Sequence, residues 1–150
     1  PGPPESRRHL ARLTGLPAGS SARRCGEHGR EEDNLQVVWG QLRDVPDERR
    51  GAGFVSAVAI VVPESVASAA KLAEYDLQPE MVVEREWRGS ITRQPRGDNG
   101  FGYDPIFRPC DADGRTSAEL APAEKDERSH RGQALRAALP LFTALAQLEA

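Results

Sequence analysis

The sequence predicts an α/β chain, or its α+β variant, with a mixed β-sheet flanked by helices. Three observations predict it. Leu35, Val38, Trp39 and Leu42 recur at the spacing of one helical face. From Phe54 to Val62, FVSAVAIVV is almost unbroken apolar and β-branched sequence. Leu135, Ala138, Leu139, Phe142 and Leu145 then form a second helical stripe.

Residues 1–21 carry three prolines near the front and no sustained apolar period, which predicts an irregular opening segment. The first helix is expected over Gly29–Val45, with Glu31, Glu32 and Asp33 at the positive end of its dipole and Pro46 as its stop. Gly53 and Pro63 bound the run Phe54–Val62, read as a strand buried on both faces. Glu64 to Glu80 fits either a short helix or a long loop between strands. Val82–Arg88 is the returning strand, with Val83, Arg85 and Trp87 on one face, and Tyr103–Phe107 a third strand. The last helix is expected over Ser129–Leu148, with Ser129 as N-cap and Pro140 as an internal kink.

A chain of 150 residues fits one domain, here residues 22–150, that buries roughly two-thirds of its unfolded surface. Lys plus Arg number 20 against 23 for Asp plus Glu, a net charge of −3. That balance argues against a general nucleic-acid binder, which carries a basic face, yet leaves room for a local cationic pocket. No apolar run approaches the roughly 20 residues that span a bilayer, so no membrane partner is expected. Cys25 and Cys110 lack metal-ligand spacing and fit a reducing cytoplasm. The chain starts at Pro1 and its one methionine is Met81, so it is expected to be processed or part of a longer reading frame.

Two stretches stand out chemically. PRGDNGFGYDPIF, Pro95 to Phe107, crowds Gly97, Gly100 and Gly102 ahead of aromatics and an aspartate. Such a turn lets backbone approach a ligand closely, although a tight hairpin turn leading into a strand is the plainer reading of this stretch alone. Its spacing is not that of a dinucleotide fingerprint. AEKDERSHRGQAL, Ala123 to Leu135, places Lys125, His130 and Arg131 at or before a helix N-terminus, where an electron-rich ligand is favoured. A solvated cap is the plainer reading of that charge run. Asp111 to Gly114 hints at a calcium loop, but its glycine comes too early, and Cys25 with His28 has no second pair to complete a zinc site.

Taken together, GFGYDPIF, then Thr116 with Ala118-Glu119-Leu120, then Ala123-Glu124-Lys125, then Ser129-His130-Arg131-Gly132 with Ala134-Leu135 resemble the C-terminal motifs of the inosine/xanthosine triphosphate pyrophosphatases, in order and at compatible spacing. VPDERRGAGFVSAVAIV, Val45 to Val61, is similar to the family's helix-to-strand segment, and SARRCGEHG, Ser21 to Gly29, to a degraded form of its SARY-x-G turn. The resemblance implies an N-terminally incomplete version of the family fold. It also implies hydrolysis of non-standard purine nucleotides (ITP, dITP, XTP) to monophosphate and pyrophosphate, with Mg²⁺ as cofactor and a homodimer as the assembly.

The resemblance further implies a role for each matching residue. Phe101 would stack on the purine, while Gly102, Tyr103 and Asp104 would shape the pocket edge and Lys125 would line it. His130 and Arg131 would donate to the 6-keto oxygen. Adenine presents a donor there, and a site with unpaired buried donors rejects the wrong base by about 10⁴-fold.

The departures are specific. Asp126 stands where the family has Asn, and residues 64–80 form an insertion relative to the family's short connection. The T-N-N-x-x-K phosphate loop, the metal-binding Glu and the D-D-S-G segment, whose Asp holds Mg²⁺ and acts as general base, have no match in this sequence. No catalytic or metal-binding residue is therefore assigned. The alternative is a catalytically inactive remnant that binds purines or dimerises.

Overall fold

The computed structural model describes residues 8–10 and 31–149. Its frame is a four-stranded sheet in the order β1 (Arg8–Leu10), β2 (Gly51–Val61), β3 (Glu80–Ile91) and β4 (Phe107–Pro109). Three residues of the opening segment read as irregular thus form β1, which pairs with Ala52 to Phe54 of β2. The expected start of the first helix at Gly29 and the SARRCGEHG turn lie outside the described residues.

The long β2–β3 pair dominates the sheet, in register from Gly51 opposite Ser90 to Val61 opposite Glu80. All described pairings are antiparallel, where a mixed sheet was expected. Phe54, Val58 and Ile60 lie opposite Trp87, Val83 and Met81 on one face. Only that face is continuously covered, since Ala59, Val61 and Val82 on the other are exposed. The apolar run therefore does not mark a strand buried on both faces: antiparallel sheets commonly leave one face to water.

Residues 62–79 join the two strands and include α2 (Ala69–Ala73), capped by Ser68, whose hydroxyl accepts from the Lys71 N–H at 3.3 Å. Ala67, Leu72 and Leu77 from this segment bury themselves against Ile60 and Val62. α1 (Glu31–Gln41) seats Leu35, Val38 and Leu42 on a larger core around Phe54, Trp87, Ile106, Phe107 and Leu120.

Tyr103–Phe107 is not a strand. Asp104–Ile106 forms a 3-10 turn in which the Asp104 and Ile106 N–H groups donate back to the carbonyls of Phe101 and Tyr103, and extended pairing begins only at Phe107. Pro105, which has no N–H to give a ladder, sits inside that turn.

The C-terminal helix arrives in two pieces, α3 (Pro122–Arg128) and α4 (His130–Ala146), and α4 continues through Pro140. Its buried face is Ala134 and Ala138, both fully buried, while Leu135, Leu139 and Phe142 are exposed. Of the expected stripe, Ala138 is buried and Leu145 packs against a core cluster, while Leu135, Leu139 and Phe142 face outward. α4 lies across β2 and β3.

Candidate functional site

The glycine-rich loop and the start of α4 do meet. Gly97 and Gly100 adopt φ values of +84° and +82°, a region that side chains with Cβ avoid. A Cβ on Gly97 would sit 2.4 Å from the Ala118 carbonyl carbon, and one on Gly100 would sit 2.2 Å from the Asp104 carboxylate. Both glycines therefore serve close approach as well as turning. Asn99 locks the loop to the segment beneath it: its backbone N–H donates to Ala118 O and its side-chain amide to Leu120 O, each at 3.0 Å.

Asp104 organises the site. Its Oδ2 accepts from the Phe101 N–H at 2.8 Å and from the Lys125 ammonium at 2.5 Å, and its Oδ1 accepts from the Ser117 hydroxyl at 2.8 Å. One buried carboxylate thus ties together the loop, α3 and the turn at Ser117. Ser129 ends α3 and caps α4, its hydroxyl accepting from the Gly132 N–H at 3.1 Å. That sharp junction sends His130 and Arg131 in different directions. The His130 ring stacks on Phe54, with centroids 5.2 Å apart, and the Arg131 guanidinium lies 4.9 Å from the Phe101 ring centroid. The Lys125 ammonium sits 5.3 Å from the same ring.

Between these groups is a cleft of about 210 Å³ with Phe54, Trp87, Phe101 and Leu120 as apolar walls. Lys125, His130 and Arg131 line its polar side, together with Asp126. Pockets for drug-sized ligands start near 300 Å³, so this volume suits a planar group the size of a base and not a whole nucleotide. Phe101 remains half exposed, leaving ring surface for stacking. Lys and Arg can only donate, so the cleft favours a flat ligand with acceptors on its edge.

Of the seven residues singled out from the sequence, Phe101, Asp104, Lys125, His130 and Arg131 line this cleft. Gly102 and Tyr103 do not. The Gly102 N–H donates to the Glu31 carboxylate at 2.9 Å, and Tyr103 is buried in the core beside Ile106 and Phe107. Phe54, Trp87, Asn99 and Leu120 were missed as lining residues because strand and loop patterns reveal burial but not which cavity a side chain borders.

No group of three or more His, Cys, Asp or Glu side chains able to hold a metal occurs among the described residues. No described helix is long and apolar enough to cross a membrane.

Residues 9–141 match the model of the Ham1 family. The chain is 51% identical over 135 residues to a dITP/XTP pyrophosphatase of Corynebacterium urealyticum, covering 90% of this chain and 61% of that protein. It is 51% identical over 138 residues to a dITP/XTP pyrophosphatase of Mycolicibacterium paratuberculosis, covering 92% and 61%. Among solved structures, a HAM1 protein from Coxiella burnetii superposes with a TM-score of 0.75 at 35% identity, covering 93% of this chain and 64% of that one. A nucleoside-triphosphatase, or dITP/XTP pyrophosphatase, from Mycobacterium abscessus gives 0.70 at 49% identity, covering 91% and 64%. The chain thus spans about three-fifths of the length of the curated relatives it matches.

Proposed function

The chain belongs to the Ham1 family, and from that premise we propose that it forms the base-recognition part of a hydrolase that cleaves non-standard purine nucleoside triphosphates to monophosphate and pyrophosphate. The observation that carries the reading is the convergence of Phe101, Lys125 and Arg131 on one base-sized cleft. In this reading Phe101 stacks on the purine. Arg131, with His130 beside it, reads the 6-keto oxygen, and Lys125 is held ready by Asp104. About 50% identity to relatives named dITP/XTP pyrophosphatase supports the substrate class.

Arg131 lies beside the Phe101 ring. Stacking a base there moves the guanidinium aside, or uses the ring's open surface, and brings it to the base edge. Mg²⁺ belongs to the reading as the ion that neutralises the triphosphate. A homodimer is part of the same reading, and the exposed Leu135, Leu139 and Phe142 face of α4 is apolar surface suited to burial against another chain.

The test is release of pyrophosphate from inosine, xanthosine and adenosine triphosphates with Mg²⁺, alongside direct binding of each nucleotide. Preference for the two 6-keto nucleotides in both measurements supports the proposal. Selective binding without turnover identifies this chain as a purine-binding remnant, and absence of any purine preference refutes the reading of the cleft.

A further inference from the structure

A second and larger cleft shares none of the described residues with the first. It measures about 330 Å³ and lies among the turn after α1, the end of β3 with the residues that follow, and β4. Arg50, Arg93, Arg96 and Arg108 line it, with Asp47 as the one acidic side chain among the described residues there. An adjoining depression of about 190 Å³ adds Arg43 and Trp39 and shares Arg50 and Arg93. This density of positive charge occurs in a chain whose net charge is −3.

The arginines are held in different ways. Arg50 is buried, and its guanidinium donates to four carbonyls: Ile91 and Thr92 at 2.8 Å, Leu42 at 2.5 Å and Val45 at 3.4 Å. These carbonyls accept hydrogen bonds but carry no opposing formal charge. Burial first, and then the neighbouring Arg93 charge, push Arg50 below its ordinary pKa, and Asp47 opposes them. Arg93 pairs with Asp47 at 2.8 Å, but both side chains are more than half exposed, so the pair is readily exchanged. Arg96 donates to Gly114 O and lies 3.6 Å from Glu119. Arg108, exposed, donates through Nε to the Ser90 hydroxyl at 3.3 Å.

We propose that this cleft binds an oligophosphate, either free or as the tail of a nucleotide. Arg93 and Arg108 grip it, and the buried Arg50 charge lies beneath. Guanidinium forks match phosphate oxygens in pairs. The two exposed arginines come from separate segments, so a ligand with linked phosphates engages both at once. The inference stands apart from the reading of the Phe101 cleft, because no described lining residue is common to the two.

The experiment is calorimetric titration of the 150-residue chain with sodium pyrophosphate, with circular dichroism to confirm that each variant is folded. Saturable binding is expected, weakened about tenfold by Arg93→Gln and again by Arg108→Gln. Asp47→Asn should tighten it severalfold, since it removes the competing carboxylate and frees Arg93. Inosine, which has no phosphate, should not compete. Displacement by adenosine triphosphate marks the nucleotide tail as an acceptable source of the anion, and lack of displacement restricts the site to the free anion. No binding, or binding indifferent to Arg93, Arg108 and Asp47, overturns the proposal. Binding lost in Arg131→Ala but kept in Arg93→Gln also overturns it, because the anion then occupies the other cleft.

Discussion

The Lys125 ammonium and the Asp104 carboxylate meet at 2.5 Å, with their side chains only 18% and 7% exposed. Sequence separates them by 21 positions, and the pair is what joins the glycine-rich loop to the helix before Arg131. Because Asp104 also accepts from the Phe101 N–H and the Ser117 hydroxyl, its charge is committed to architecture, and it presents Lys125 to the cleft.

Asp104→Asn should therefore be costly. It leaves a largely buried ammonium without its counter-charge, a loss of about 3 kcal/mol. Urea unfolding measures it. In the Lys125→Met background the same substitution should cost markedly less, because the stranded charge is gone. Equal costs in the two backgrounds would show that Asp104 acts mainly through Phe101 and Ser117.

The positive-φ glycines should rank by what surrounds them. Gly114, at φ +79° with open space around its Cβ position, should lose about 1 kcal/mol on mutation to Ala from backbone strain alone. Gly97→Ala should lose distinctly more, since the new Cβ meets the Ala118 and Glu119 backbone within 2.6 Å and neither can swing aside. Thermal melts of the two variants give the comparison directly. A Gly97 variant as stable as the Gly114 variant would mean the Ala118 segment shifts freely.

Phe101 and Arg131 should separate affinity from selectivity. Stacking on an aromatic ring is worth about 1–3 kcal/mol per base and reads no base edge. Phe101→Ala should thus weaken inosine and adenosine triphosphates alike. Arg131→Ala should weaken mainly the inosine nucleotide, because a guanidinium donates and does not accept. Equal losses for the two nucleotides in the Arg131 variant would place that side chain on phosphate.

Glu124 should contribute an acid-sensitive part of stability. Both Arg115 Nη atoms donate to its carboxylate, at 2.6 and 3.0 Å. These hydrogen bonds hold the Glu124 pKa below its ordinary value, and the same bonds raise that of Arg115. A depressed carboxylate stabilises the fold above its unfolded-state pKa and stops doing so as pH falls through the folded-state value. Wild type should therefore melt above Glu124→Gln at about pH 7, and the gap should close on titration to about pH 3. A gap that does not change with pH would assign the effect to packing.

The sequence by itself determined the elements whose signals are local. The spacing of Leu35, Val38 and Leu42 places α1 on the core, Ser129 caps the last helix, and Gly53 and Pro63 bracket most of β2. The motif order from GFGYDPIF to Ser129-His130-Arg131 likewise indicated the family, and with it five residues that line the cleft. Tertiary structure decided matters that depend on what a segment packs against. Periodicity gives a helix a stripe but not its edges, so only docking on the sheet added Ala134 beside Ala138 and left Leu135 and Leu139 outside the buried face. An apolar run does not say how many of its faces are covered, and β2 left Ala59 and Val61 to solvent. Tyr103 lies one residue from Asp104, yet a turn of backbone sends one ring into the core and leaves the neighbouring carboxylate to hold Lys125. The arginine-lined cleft carried no motif at all, because Arg50, Arg93 and Arg108 come from separate segments and only the fold brings their charges together.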